Sequence, residues 1–229
     1  MRYWLARGLL TLLAALLCYQ LWLFAHVLWW VDHNPDVTAL MQERLQQMRQ
    51  TNPHAQLVHQ WVGYNHIAGS VKRAVIAGED SNFLHHHGFD WDGIQLAARK
   101  DWQRGRIVAG GSTISQQLAK NLLLSDHRTP GRKLEEALVT LMLEKTMSKR
   151  RILEIYLNVI EWGNGVFGVA AASHHYFHLA PALLSNNDSA RLAAMIPDPR
   201  YFDDHRNSRW LRHHTATIAA RMALVSVPR

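Results

Sequence analysis

Apolar positions along this chain of 229 residues fall into two unlike patterns. From Leu9 to Val31 they are nearly continuous, interrupted by Thr11, Gln20 and His26. At about 1.5 Å per residue, a helix of that length crosses a hydrocarbon core of roughly 30 Å. A cleaved signal peptide, the competing reading, needs a shorter apolar run ending in a small-residue cleavage site, and no convincing site stands between Leu23 and Asp36. Beyond the span the pattern changes to a helical period, with short breaks, predicting helices at about 70–79, 92–103, 113–124, 130–147, 149–160, 166–176 and 187–196. Strands are scarcely indicated and no internal repeat is visible. The expected organisation is a short N-terminus (1–8), a transmembrane anchor (9–31), a polar connector (32–66) with a helix through Met41 to Met48, and one all-α domain (67–229).

Charge orients the span. Arg2 and Arg7 precede it with no acidic residue among them, and Asp32 and Asp36 follow it, so the N-terminus is expected in the cytoplasm and the bulk of the chain outside. The lone Cys18 lies within the span, which excludes an intramolecular disulfide and is compatible with an oxidising compartment. The formal net charge of +7 falls to +5 for residues 32–229 once Arg2 and Arg7 are set aside. The excess is concentrated around Arg99, Lys100, Arg104 and Arg106, and again between Arg128 and Arg151. Such patches on a tethered domain attract anionic headgroups and pyrophosphate. Nucleic acid, the rival partner of basic patches, would rarely meet a domain held outside the cytoplasm.

Two segments carry candidate chemistry. In the first, Val71, Ala74, Val75 and Gly78 recur at helical spacing and Glu79 continues their stripe. A carboxylate there is partly desolvated, which raises its pKa toward the range of a general base; the plainer alternative is a surface residue ending a helix. In the second, Gly110-Gly111-Ser112-Thr113 opens a helix in which Gln116 stands at capping-box distance from Thr113. Gln116 and Lys120 share one face and Ile114, Leu118 and Leu122 another. A helix opened by glycines and followed by a cation can hold an anion. Further on, Arg132 and Glu136 are four apart on a helix begun by Thr129-Pro130, with Leu134, Leu138 and Leu141 expected to line its core stripe.

Read in order, these segments resemble the motif series of the glycosyltransferase family 51 peptidoglycan polymerases. The first motif matches Glu79, Asp80, Phe83, His86 and Gly88, and the second runs through Ser112, Thr113, Ile114, Gln116, Gln117, Lys120 and Asn121. The third matches Arg132, Lys133 and Glu136; the fourth is Lys149, Ile152, Leu153, Glu154, Tyr156, Leu157 and Asn158. The fifth appears at Gly168, Val169, Ala172, Tyr176 and Phe177 with one alanine shifted. Five ordered motifs are far more specific than any single one. The monofunctional biosynthetic members are the nearest in organisation, with no further catalytic region after the last motif. Asn82 departs from the series, where many members carry a basic residue.

The resemblance implies a lysozyme-like fold and polymerisation of lipid II, with release of undecaprenyl pyrophosphate, into β-1,4-linked glycan at the outer face of a bacterial inner membrane. Phosphoglycolipids of the moenomycin type would compete in its donor site. It makes Glu79 and Glu136 the catalytic carboxylates and assigns substrate binding to Asp80, Phe83, His86, Ser112, Thr113, Gln116, Gln117, Lys120, Asn121, Arg132 and Lys133. It also suggests that residues 91–108, which carry Trp91, Leu96 and Trp102 among cations, lie in the membrane interface; an ordinary amphipathic surface helix is the other reading. Lipid II, the growing glycan and the membrane are thus the expected partners, with other wall-synthesis or division proteins left open.

The groups themselves suit that chemistry. A sugar hydroxyl attacking an anomeric carbon needs a base, and a departing pyrophosphate needs cations more than it needs an acid. Glu154, Tyr156 and Asn158, on a strongly apolar helix, read better as structural support. Fifteen histidines include three adjacent runs, but neighbours on a helix cannot all face one ion, which argues against zinc. No tightly bound cofactor is expected, and a Mg²⁺ or Mn²⁺ held partly by pyrophosphate remains compatible. Two other classes stay open: a lytic enzyme of lysozyme-like fold, needing a carboxylic acid to protonate a glycosidic oxygen, and a membrane-anchored scaffold that binds wall precursors without chemistry.

Overall fold

The computed structural model describes residues 2–104, 111–123 and 130–229. Gly110, Arg106, Arg128 and Thr129 fall outside them. The described residues are mostly helical: α1 (Arg2–Asp32), α2 (Ala39–Thr51), α3 (Gly69–Glu79), α4 (Trp91–Arg104), α5 (Ile114–Leu123) and α6 (Pro130–Thr146). After them come α7 (Lys149–Val159), α8 (Val169–Phe177), α9 (Asn186–Met195), α10 (Pro199–Asp204) and α11 (Arg209–Arg221). A small sheet adds β1 (Val58–His59), β2 (Glu161–Gly163) and β3 (Val166–Phe167), with β3 central, parallel to β1 and antiparallel to β2. The all-α expectation therefore holds with one small addition, and residues 166–168 are strand and turn where a helix was expected.

The last two helices were not anticipated, although their signals are present. Asp198 caps α10 ahead of Pro199, and Ser208 caps α11 by accepting from the Leu211 N–H. Leu211, Thr215, Ile218 and Met222 then recur at helical spacing and are buried. α11 packs with α9 against α3, the helix that carries Glu79.

Residues 39–66 share the same core. Thr38 caps α2, whose Met41 and Arg44 are buried, and α2 packs on α5. Asn158 on α7 holds the segment before α3: its side-chain oxygen accepts from Val62 N–H at 2.8 Å and its amide donates to Val62 O at 2.9 Å. Glu154 accepts from Tyr64 N–H at 2.8 Å. Both residues are structural, as their apolar surroundings suggested. Gly168 sits at φ +80°, where a Cβ would lie 2.7 Å from Asn158 O, so only glycine fits between β3 and α8.

α1 is apolar over a length that can cross a membrane. Its residues from Tyr3 to Tyr19 are exposed, whereas Leu23, Val27 and Trp30 form a buried stripe as the helix packs along α6. Arg151 ties down its end, donating to Trp30 O at 3.1 Å and His33 O at 2.7 Å. On α6 the expected stripe is reversed. Leu134, Leu138 and Leu141 are exposed, and Glu136, Val139, Thr140 and Leu143 face inward.

Candidate active site

Glu79 ends α3 and lines a cleft of about 490 Å³. Ser112 and, from α5, Gln116, Gln117, Lys120 and Asn121 line the same cleft, as does Glu136 of α6. Leu40 and Arg44 of α2, Ile160 and Glu161 at β2, and the Ile196–Pro199 turn complete it among the described residues.

The Glu79 carboxylate is held in a short chain of hydrogen bonds. Gln117 Nε2 donates to Glu79 Oε2 at 2.8 Å, and Tyr156 Oη donates to Gln117 Oε1 at 2.7 Å. Tyr156 is fully buried on α7, so the anchor of this chain is rigid. Burial pushes the Glu79 pKa up; the Gln117 hydrogen bond works against it and the neighbouring Asp80 charge adds to it. Burial, with the Glu79 and Asp80 charges, also raises the Tyr156 phenol, which therefore stays protonated as a donor. Tyr156 was expected as structural support on its apolar helix, and its link through Gln117 to the Glu79 carboxylate was not anticipated.

Asp80, one residue on, points elsewhere. It accepts from His86 Nε2 at 3.0 Å and from Ile114 N–H at 3.0 Å, and all three groups are buried. His86 Nδ1 in turn accepts from Gly88 N–H at 3.2 Å, and Thr113 Oγ1 donates to Gly88 O at 2.7 Å. Gly88 has φ +95° and packs so near Thr140 that a Cβ would approach its methyl to 2.8 Å. The capping box is present: Thr113 Oγ1 accepts from Gln116 N–H at 3.2 Å and Gln116 Oε1 accepts from Thr113 N–H at 3.0 Å.

Two consequences follow for the expected anion site. The α5 N-terminal donors Ile114 N–H and Gln116 N–H are already taken by Asp80 and Thr113, because a carboxylate of the chain itself complements the helix dipole. Anion binding at this end of the cleft thus falls to side chains. Asp80, Phe83, His86 and Thr113, expected to bind substrate, are gathered into a buried clip between the first two motifs and do not line the cleft.

Glu136 lines the cleft with its carboxylate held by Arg132 at 3.1 Å and by Lys133, both one turn earlier on α6. The trio leaves one net positive charge at the cleft that Lys120 also lines. Farther along, Arg44 Nε donates to Glu161 Oε2 at 3.0 Å, and Glu161 Oε1 accepts from Gly165 N–H at 3.1 Å. Burial raises the Glu161 pKa, with Arg44 opposing. Sequence reasoning had no signal for this pair, which lies 117 positions apart.

The described residues contain no group of three or more His, Cys, Asp or Glu side chains able to hold a metal ion. Each carboxylate on the cleft is paired inside the protein, Glu79 with Gln117, Glu136 with Arg132 and Lys133, Glu161 with Arg44. This donor set does not fit a resident cation.

The described site is thus a desolvated carboxylate and a lysine lining one cleft, on a helical domain that carries an N-terminal helix long and apolar enough to cross a membrane. The chain belongs to the transglycosylase family, matching it over residues 44–223. It is 60% identical over 222 residues to a protein of Methylobacillus flagellatus named biosynthetic peptidoglycan transglycosylase, covering 97% of each chain. Proteins of the same name from Laribacter hongkongensis (56% over 225 residues, 98% of this chain and 99% of that one) and Nitrosospira multiformis (52% over 225 residues, 98% of each) are similar throughout.

Proposed function

We propose that this protein polymerises lipid II into linear β-1,4-linked glycan, with Glu79 as general base. The acceptor 4-hydroxyl attacks the anomeric carbon of the lipid-linked donor. Its proton passes to Glu79 as the new glycosidic bond forms. The bond from that carbon to the pyrophosphate breaks with inversion, and the electron pair leaves on the phosphate oxygen. Lys120, with the Arg132–Lys133–Glu136 trio, balances the charge that develops there. Ser112, Gln116 and Asn121 are suited to hold substrate hydroxyls and phosphate oxygens, and the clip around Asp80, Phe83, His86 and Thr113 keeps Glu79 and α5 in register. Any Mg²⁺ or Mn²⁺ would travel with the pyrophosphate.

The observation that carries this reading is the Tyr156–Gln117–Glu79 chain. Gln117 occupies Oε2 and orients the carboxylate, so that Oε1 is the oxygen to meet a hydroxyl. The Gln117 donor favours the ionised form a base requires, within a net upward shift set by burial; what favours a base over a lytic acid is the presence of Lys120 and of the Arg132–Lys133–Glu136 trio at the same cleft, cations that suit a departing pyrophosphate.

The same reading places the catalytic domain at the outer face of the inner membrane with the N-terminus in the cytoplasm. Tyr3 and Trp4, beside Arg7, and Tyr19 and Trp22 form two aromatic ends on the exposed part of α1. From Tyr3 to Trp22 is about 28 Å of helix, close to one hydrocarbon core. We assign the crossing to that stretch, with Arg7, one turn inside Tyr3, reaching back to the cytoplasmic headgroups, so that Leu23–Trp30 and α6 meet at the outer interface. Exposed Leu134, Leu138 and Leu141, and Trp91, Leu96 and Trp102 on α4, then face lipid.

The test is incubation of the full-length protein and its Glu79→Gln variant with lipid II, resolving products by size. A ladder of uncleaved glycan from the wild type alone is expected. Shortening of preformed peptidoglycan without a ladder would make the protein lytic, equal ladders from the two proteins would take the base role from Glu79, and no product from either would leave a scaffold.

A further inference from the structure

Tyr19 of α1 and Glu135 of α6 lie 116 positions apart, and the Tyr19 phenol donates to the Glu135 carboxylate. The contact is aimed by the helix that carries it. Tyr19, Leu23, Val27 and Trp30 stand at i, i+4, i+8 and i+11 on one face of α1, the last three are buried, and Arg151 fixes the end of that face. Glu135 has a second donor within reach. Arg132 is the one cation three or four positions from it on α6, at the spacing of a helix ion pair. Arg132 and Lys133 nevertheless both bind Glu136, which lines the cleft, while Glu135 is engaged from the other helix. Two adjacent carboxylates of one helix are thus allotted to different partners.

From this allotment we propose that Tyr19 is a positioning residue for the departing pyrophosphate: its phenol keeps Glu135 on the α1 side of α6 and so reserves Arg132 and Lys133 for Glu136 and the phosphate oxygens. The proposal rests on the polymerase reading of the cleft. A neutral donor matters here because it satisfies a carboxylate without taking a cation. Arg132, Lys133, Glu135 and Glu136 together carry no net charge, so the cleft is positive at this point only while Glu135 is turned from it. With the phenol gone, Glu135 turns to Arg132, because a carboxylate at the lipid boundary is costly to leave without a donor. The guanidinium is then shared between two carboxylates, and the cleft loses the excess charge that complements pyrophosphate. The membrane helix thereby acts on the chemistry through one hydroxyl, in addition to tethering the domain.

Tyr19→Phe, Glu135→Gln and the double variant test this in full-length protein held in lipid nanodiscs. Two quantities are read: the polymerisation rate at limiting lipid II, and the affinity for inorganic pyrophosphate by calorimetric titration. Tyr19→Phe should lower the rate and weaken pyrophosphate binding by about fivefold each. Glu135→Gln, whose amide oxygen still accepts from the phenol, should stay within about twofold of the wild type. The double variant should return to within about twofold as well, since glutamine has no charge to draw Arg132. A hydrogen bond that merely stapled α1 to α6 would be as lost in the double variant as in Tyr19→Phe, and nothing would be recovered. Tyr19→Phe equal to the wild type in either measurement, or a double variant as weak as Tyr19→Phe, overturns the proposal while a wild-type ladder keeps the polymerase reading intact. If the wild type makes no glycan, the polymerase reading falls and the pyrophosphate titration decides alone. There, no binding by the wild type, or equal binding by all four proteins, removes Tyr19 from this role.

Discussion

Glu79 and Asp80 are neighbours in the chain with opposite surroundings. Asp80 is enclosed with His86 and the start of α5, and its hydrogen bonds end within the protein. Glu79 opens on the cleft and receives one amide from Gln117. The difference shows how one motif can contain both a reacting group and the brace that aims it. The brace is fully paired because an unpaired buried carboxylate is expensive. The reacting carboxylate is kept under-solvated, which raises its proton affinity toward the working pH.

Variants separate the two roles. Glu79→Gln is expected to lower polymerisation by about 10²–10⁴-fold, the range for loss of a general base. It should do so without loss of stability. Since burial raises the Glu79 pKa, its favourable contribution is complete below the ordinary value of 4.5 and is lost as pH rises through the elevated value. The glutamine variant should therefore equal or exceed the wild type in Tm at neutral pH and lose that advantage in acid, as read by calorimetry across pH.

Asp80→Ala should behave conversely. His86 and the Ile114 N–H lose their shared acceptor, and at about 1–3 kcal/mol for a buried polar group left without a partner, Tm should fall by about 5–10 °C. Folded protein at low temperature should keep much of its turnover. A loss of activity as complete as in Glu79→Gln, with unchanged Tm, would place Asp80 in the chemistry instead.

Gln117→Leu sharpens the comparison from the other side. Removing the donor that favours the ionised form should move the acidic limb of the pH–rate profile upward and reduce the rate by about tenfold at neutral pH. A reduced rate with an unmoved limb would make Gln117 a substrate contact only. The smallest effect is expected at the lipid face. Trp102→Ala, at an exposed site of α4, should weaken binding to anionic vesicles by about threefold and leave Tm unchanged.

Much of this architecture was legible along the chain. The α5 capping box and its Ile114, Leu118 and Leu122 stripe are local, and they formed as their spacing indicated. Glu79 and Lys120 were recognisable because a polar group on or beside an apolar stripe must face either a partner or a cleft. Tyr156 and Arg44 were not, since each acquires its role through a partner 39 or 117 positions away, and spacing along one helix carries no information about another.

The α6 leucines mark the limit most clearly. Helical period alone put Leu134, Leu138 and Leu141 on one face and Glu136 on another, and the structure keeps that division. Which face turns inward was decided by the neighbours. α1 runs along α6 and the cleft lies behind it, so the carboxylate is inside, held by half-buried Arg132 and exposed Lys133, and the leucines are outside. The sequence by itself determined the helices, their caps, the apolar first helix and the residue types available for chemistry, because those depend on contacts within a few residues. Only the tertiary structure decided the sense of each face, the chain from Tyr156 to Glu79 and the Arg44–Glu161 pair, because these depend on which distant surfaces meet and on which solvent the remaining surface faces.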